Sequence, residues 1–238
     1  YRILLITTDD GEELDEKLVQ SYLKEKLIAI VSATKPTESF VESCNLKRIQ
    51  FIAYNRSWDI PTLSSVACDH KNGGEMVAEY FIKNKHTKIG IIEGPKGSFV
   101  SDQRIKGFKS FFKNNKNTKL YSEKGFFTYD GGFQASQKIL QNKGVSAIFC
   151  ADDTMAFGCL DYIKQNTTIK IPKDLELIGY DDISMSHWKS YDLTTVRQPI
   201  RQMSKLVTQL VDDYIKDPDY ESVKHIVQGS LIKRKTTR

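Results

Sequence analysis

Two pairs of adjacent acids stand where apolar runs stop: Asp152 and Asp153 after "SAIFCA", and Asp181 and Asp182 after "LELIGY". Paired carboxylates can pass a proton, hold a metal or accept hydrogen bonds from hydroxyls and amines. His70, His86, His187 and His225 are scattered without metal-ligand spacing, and neither H-E-x-x-H nor G-x-S-x-G occurs. The stretch "GPKGSFVS" lacks the G-K-[ST] ending of a phosphate loop. Cys44, Cys68, Cys150 and Cys159 form no C-x-x-C pair and no zinc or disulfide spacing, so they read as small, buried, reduced hydrophobes. No catalysis, metal or cofactor is expected, and the acids are left as acceptors for a polar ligand.

The acids must be positioned by what precedes them. Apolar runs alternate with segments of helical period: "YRILLITT", "DDGEELDEKLVQSYLKEK", "LIAIVSA", a loop, "IQFIAYNR", "SSVACD", "NGGEMVAEYFIKNK", "KIGIIEG", "SDQRIKGFKSFFKNN" and "KLYSEKGFFTYD". The alternation continues through "FQASQKILQNKG", "SAIFCAD", "DTMAFGCLDYIKQN", "LELIGYDD", "IRQMSKLVTQLVDDYIKD" and a last strand, "VKHIVQGSLIKRKT". Strand then helix with short connections predicts an α/β chain with doubly wound parallel sheets. Such sheets bind ligands beyond the carboxyl ends of their strands. The residues there are Thr7 to Asp10, Ser32 to Lys35, Asn55 and Arg56, Asp69, Gly94 to Ser101, Asp152 and Asp153, and Asp181 and Asp182. Carboxylates accept from hydroxyls and Arg donates in a planar fork, a set suited to a ligand with several polar edges. Phe99, Phe127, Tyr129, Trp188 and Tyr191 lie near the same loops and could cover the apolar face of a ring.

The 238 residues, 39% hydrophobic and 27% charged, suffice for one large domain or two small ones. No apolar run approaches the roughly 20 residues of a membrane-spanning helix, and no membrane partner is expected. The net charge of +5 is spread along the chain, with clusters only at "FKSFFKNNKNTK" and "IKRKTTR", a pattern of solvated surface rather than of phosphate tracking. The start of the chain has no signal-peptide pattern, and Tyr1 opens a strand-like run, so the chain reads as a fragment.

From about Leu27 to Arg238 the chain resembles the LacI/GalR family of transcriptional regulators. The residues that carry the likeness are "VACDHKNGGEMVAEYFIKNKHTKIGIIEGP", "SDQRIKGF", "AIFCADDTMAFGCLDYI", "IPKDLELIGYDDIS", "LTTVRQP" and the closing "LIKRKTT". The resemblance implies two lobes of periplasmic-binding-protein type I, joined by three crossovers, with residues 1–68 and 198–224 in the first and 69–197 and 225–238 in the second. It also implies that the first βα unit is absent, and that a helix-turn-helix headpiece outside this chain reads an operator.

Carried over residue by residue, the resemblance makes Arg104 the arginine that forks onto the ligand and Asp181 an acid facing it. Asp182 would support the turn. Asp152 stands where the family usually has Asn, replacing a group that can donate by one that only accepts, and Asp153 would cap the following helix. Asn55 stands where many relatives place Asp before Arg56. Ser98, Phe127 and Gln198 match ligand-side positions in some relatives, and His86 matches a structural histidine. Replacing Arg104 or Asp181 by Ala is expected to abolish ligand binding and leave the fold intact.

The function implied is that of a cytoplasmic, homodimeric regulator. A sugar or similar small effector would shift the population of lobe arrangements and so control operator DNA binding. Two other readings share the fold: an extracytoplasmic sugar-binding protein of a transporter, and a catabolite-control type of regulator with a protein co-regulator.

Overall fold

A computed structural model describes residues 2–8, 13–14, 26–113, 117–219 and 221–238. The chain divides into two compact units, Tyr1–Cys68 with Ile200–Val227 and Asp69–Pro199 with Gln228–Arg238, and so passes three times from one to the other.

The first unit holds a four-stranded sheet in the order β1 (Ala29–Ser32), β2 (Gln50–Tyr54), β3 (Ser64–Cys68) and β9 (Lys224–Val227), with every pair parallel. Side chains alternate across β2, and both faces are apolar. Phe51 and Ala53 pack with Phe40, Val41 and Cys44 of α1 (Glu38–Leu46), while Ile52 packs with Met203 and Leu210 of α6 (Ile200–Lys216). The Thr37 hydroxyl starts α1 by accepting from the Phe40 amide.

The apolar run "YRILLITT" does not form the expected strand. Residues 2–8 join no ladder, and Ile3 and Leu5 are 93% and 89% exposed. A strand needs a neighbour for its amides and carbonyls, and β1, at the edge of the sheet, pairs with β2 alone. The helix expected over residues 9–26 falls mostly outside the described residues, as do Asp9 and Asp10. Of its described members, Leu14 makes an isolated parallel bridge with Pro36.

The second unit has six strands in the order β10 (Ser230–Ile232), β8 (Thr194–Arg197), β7 (Glu176–Asp181), β6 (Ala147–Cys150), β4 (Lys88–Glu93) and β5 (Lys119–Lys124). All pairs are parallel except β10 with β8. Helices α2 (His70–Lys83), α3 (Phe99–Ser110), α4 (Tyr129–Ile139) and α5 (Asp153–Asn166) complete the unit. The chain runs outward from β4 to β5, then returns to lay β6 on the other side of β4. The reversal makes the carboxyl ends of β4 and β6 a topological switch point, the position at which open α/β sheets take ligands.

Two differences from the expected elements have local causes. "TTVR" forms β8, a strand hidden by its short length and three polar residues. The single closing strand is two, because Gln228 and Gly229 interrupt it: β9 pairs parallel with β3, and β10 pairs antiparallel with β8. A Cβ on Gly229 would lie 2.8 Å from the Arg197 carbonyl, so the backbones meet too closely there for a larger residue.

The core of the second unit is built on Ile91, Ile92, Phe149, Leu177 and Tyr180, and Phe108 of α3 stacks on Phe149 with centroids 5.1 Å apart. Helices α2 and α3 touch backbone to backbone through two glycines. A Cβ on Gly74 would lie 1.9 Å from the Arg104 carbonyl, and one on Gly107 would lie 2.0 Å from that of Lys71. This close approach fixes where α3 presents Arg104.

Candidate functional site

Arg104 enters the second unit's core from α3 and is only 2% exposed. Its Nε donates to His70 Nδ1 at 3.3 Å, one terminal nitrogen to the Ala151 carbonyl at 2.6 Å, and the other to Asp181 Oδ1 at 2.8 Å. The guanidinium carbon also lies 3.7 Å from the centre of the Tyr180 ring, a cation–π contact made in a desolvated setting. Three of the five guanidinium N–H groups are thereby engaged, leaving one on each terminal nitrogen. His70, because its Nδ1 accepts, carries any ring proton on Nε2 in this arrangement.

Asp181 closes β7 with φ +116°, and Asp182 follows at +56°. Both lie in a backbone region that residues with side chains rarely adopt, at about 1–3 kcal/mol each. The neighbours hold them there. Asp181 Oδ1 accepts from Arg104 and from Gln198 Nε2 at 2.6 Å, which leaves Oδ2 without a partner among the described residues. Asp182 pairs with Arg197 and with Arg234, whose other terminal nitrogen donates to the Leu193 carbonyl. The turn role expected for Asp182 is thus carried out by two ion pairs.

The second acid pair takes roles other than those expected. Asp152 is the N-cap of α5, its Oδ1 accepting from the Met155 amide at 2.8 Å. Asp153, expected as the cap, is instead the first helical residue and fully buried. It accepts from the Ile183 amide and the Ser186 and Thr195 hydroxyls, and so ties α5 to the turn after β7 and to β8. Burial pushes Asp153 up to about 7 despite these three donors. Asp152 is pushed up to about 6, first by burial and further by the nearby Asp181, against the pull of its Met155 bond and of Arg104.

Of the other positions, Ser98 precedes α3 without capping it through its side chain. Phe127, at φ +60°, lays its ring over Gly94, where a Cβ would come within 2.4 Å of the ring, and so covers the carboxyl end of β4. Arg104, Asp152, Asp181 and Gln198 therefore gather at the ends of β6, β7 and β8, while Ser98 and Phe127 follow β4 and β5. Asn55 and Arg56 belong to the first unit, at the carboxyl end of β2. Asn55 has φ +57°, and its Oδ1 accepts from the Cys68 amide at 3.4 Å. The hydroxyls of Tyr129 and Tyr191 both donate to Asp161, the first at 2.7 Å.

The reading of the residues missed His70, Tyr180 and Arg234. The position of His70, directly after Asp69 at a helix start, was a usable signal. His86 bonds to Ser146 and to the buried Glu176 at the far end of the sheet. All four cysteines are buried. Among the described residues, no group of three His, Cys, Asp or Glu could hold a metal, and no helix is long and apolar enough to cross a membrane.

The geometry offers a fixed guanidinium with two remaining donors beside a carboxylate with one remaining acceptor, at the carboxyl ends of β6 and β7, next to the switch point. Residues 78–237 match the periplasmic binding protein-like domain. The probable HTH-type transcriptional repressor ExuR of Bacillus subtilis (strain 168) is 31% identical over 241 residues, covering all of this chain and 71% of that repressor. The chain belongs to the LacI/GalR family. The HTH-type repressor PurR of Vibrio vulnificus is 33% identical over 172 residues, 71% of this chain, and the match spans only 51% of that repressor. Among solved structures, a LacI family regulator of Enterococcus faecalis V583 with bound ribose superimposes with a TM-score of 0.83 at 25% identity, covering 93% of this chain and 81% of that one. The CelR–cellobiose complex shares the fold, with a TM-score of 0.81 at 21% identity over 93% and 69% of the two chains. The two lobes are those of this family's effector-binding core.

Proposed function

We propose that this LacI/GalR-family core binds a sugar or similarly hydroxylated metabolite and uses it to control operator binding by a helix-turn-helix headpiece outside this chain. The observation that carries the reading is the Arg104–Asp181 pair. Donors and an acceptor are held rigid, on a strained backbone, where parallel sheets take ligands. Arg104 donates to ligand oxygens, and Asp181 accepts from hydroxyls through Oδ2. Asp152, Gln198, Ser98 and Phe127 complete the second unit's site, and Asn55 and Arg56 stand at the carboxyl end of β2 in the first unit. The protein works as a cytoplasmic homodimer, as a switch rather than an enzyme.

Support comes from relatives that are transcriptional repressors and from a ribose-bound neighbour at the level of identity where more than fold is informative. The test is calorimetry of the chain against D-ribose, D-glucose and cellobiose, repeated with Asp181→Asn. One of these sugars should bind, with at least a tenfold loss in the variant, since a charge-assisted hydrogen bond contributes about 1.5–3 kcal/mol. Equal affinity in parent and variant would remove Asp181 from the site. Operator control is then read as a sugar-dependent change in the affinity of the headpiece-bearing protein for DNA upstream of its own gene.

A further inference from the structure

Asp152 caps α5 through one oxygen, and the cap does not explain why the residue is an acid. Its Oδ1 accepts from the Met155 amide at 2.8 Å. Asn caps a helix as well as Asp does and carries no charge. The side chain stands in a residue only 7% exposed, and burial holds it up at about 6 against the pull of the Met155 amide and of Arg104. Capping therefore calls for an oxygen at this position but not for a charge.

The other oxygen, Oδ2, has no partner among the described residues. It is not sealed off either, because Gln50 Oε1 is the single side-chain atom among them that is both fully buried and unpaired. Asp181 is in the same state, with Oδ1 shared by Arg104 and Gln198 and Oδ2 open. The two acids sense each other: the charge of Asp181 resists the ionisation of Asp152, while that of Arg104 favours it. One guanidinium thus serves the ends of both β6 and β7, bonding to the carbonyl of Ala151, directly before Asp152, and to Asp181.

The neighbouring ionic groups are already matched. Asp182 pairs with Arg197 and Arg234, Glu93 pairs with Lys109 and Lys124, and Asp153 is occupied by three donors. His70 accepts at Nδ1, so it brings no second positive charge in this arrangement. Counted within the second unit, two open carboxylate oxygens share a single cation. A ligand hydroxyl offers one donor and no charge, and so leaves the excess in place. An ammonium offers three donors and a positive charge, and its bonds to carboxylates are roughly twice as strong as neutral ones. An acidic sugar would add a further negative charge beside the two acids.

We propose, resting on the sugar reading of this site, that its ligand is an amino sugar whose ammonium group donates to Asp152 and Asp181. Asp152 is then the residue that selects an amine over a hydroxyl. The two N–H groups left on Arg104 donate to hydroxyl oxygens of the same ligand.

The experiment is calorimetry of the full chain at pH 7.0 with D-glucosamine, D-galactosamine and D-mannosamine, each against its parent hexose and its N-acetyl form. At least one amine should bind about tenfold or more tightly than both of its uncharged counterparts. Asp152→Asn keeps the cap and should bring that ratio down to about threefold or less. At pH 5.0 the ammonium stays charged while Asp152 takes up its proton, so the parent should lose up to about tenfold in affinity for the amine, and Asp152→Asn should not show this step. A hexose that binds as tightly as its amine, or a preference for the amine that survives Asp152→Asn, overturns the proposal and leaves the sugar reading standing. Binding of ribose or cellobiose with none of the amines does the same. If no sugar of either kind binds, the proposal and the sugar reading fall together.

Discussion

Replacing Arg104 by Ala should unfold part of the protein as well as weaken ligand binding, against the expectation that the fold would survive intact. The guanidinium is the partner of the buried Ala151 carbonyl, the buried His70 ring and the Asp181 carboxylate, and it covers Tyr180. Removing one member of a buried ion pair costs about 3–5 kcal/mol, and an orphaned buried carbonyl about 1–3 kcal/mol. The Asp181 side chain is 24% exposed, so water recovers part of the first term. We expect a net loss of about 3–5 kcal/mol, a large share of the roughly 5–15 kcal/mol that stabilises a typical domain. The two tryptophans allow the loss to be located, since Trp58 lies in the first unit and Trp188 in the second. Urea unfolding of Arg104→Ala in a Trp58→Phe background reports the second unit through Trp188 alone. Arg104→Lys should lose less, because an ammonium can reach Asp181 but cannot serve three directions at once. A change below about 1 kcal/mol in Arg104→Ala, or a loss in the Trp58 transition instead, would refute the idea that the guanidinium holds the second unit together.

Other perturbations probe the same frame. Asp153 has its folded value raised to about 7 from an ordinary 3.8, so the native state holds this proton more tightly than the unfolded chain. Its contribution to stability should fall as pH rises from about 4 to 7 and level off above; Asp153→Asn, followed by urea midpoints across that window, should flatten the slope, and an unchanged slope would place the titration elsewhere. Gly107→Ala forces a methyl against the Lys71 carbonyl, so it should cost about 1–3 kcal/mol and loosen the α2–α3 contact, read as a lower midpoint and faster amide exchange in α3. Asp182→Ala leaves Arg234 without its carboxylate near the end of the chain, and should raise hydrogen exchange in β8 and β10 before it affects β4.

The alternation of strand and helix was legible because strands covered on both faces are almost wholly apolar, as "AIFC" and "IGII" are. The strand ends were legible for the same reason, since a pair of acids breaks such a run. What escaped depends on geometry that one residue can shift. The cap falls on Asp152 rather than Asp153 because capping is set by which of two adjacent acids has extended dihedrals, and composition is blind to that. "TTVR" hides a strand because its threonines are satisfied by partners far along the chain, Thr195 by Asp153 and Thr194 by Thr237. "YRILLITT" reads as a strand by composition but lacks the neighbour that would make it one. Arg104 was found through a motif, yet its partners come from α2, the end of β6 and the end of β7, a convergence that appears only once the sheet order is known.

The arrangement at Asp181 also explains why a strained backbone is kept there. Oδ1 is shared by Arg104 and Gln198, while the next residue, Asp182, is pulled by Arg197 and Arg234. Gln198 stands two residues before Ile200, where the chain leaves the second unit, and Arg197 pairs in register with Ser230, just after Gln228, where it returns. Two of the chain's three passages thus lie close to the acids, the outgoing one through the Gln198 hydrogen bond to Asp181 and the returning one through the β8–β10 ladder and the Arg197–Asp182 ion pair. On the proposed sugar-binding reading, a ligand hydroxyl donating to Asp181 Oδ2 would weaken that carboxylate's hold on Gln198 and Arg104, and the positive φ values at Asp181 and Asp182 leave about 1–3 kcal/mol each to be released if the segment relaxes. That is the scale of typical coupling free energies between sites, about 1–3 kcal/mol. A relaxed, unstrained strand end would offer the same hydrogen bonds to a sugar, but it would have no strain to release toward the segments that carry the chain between the units.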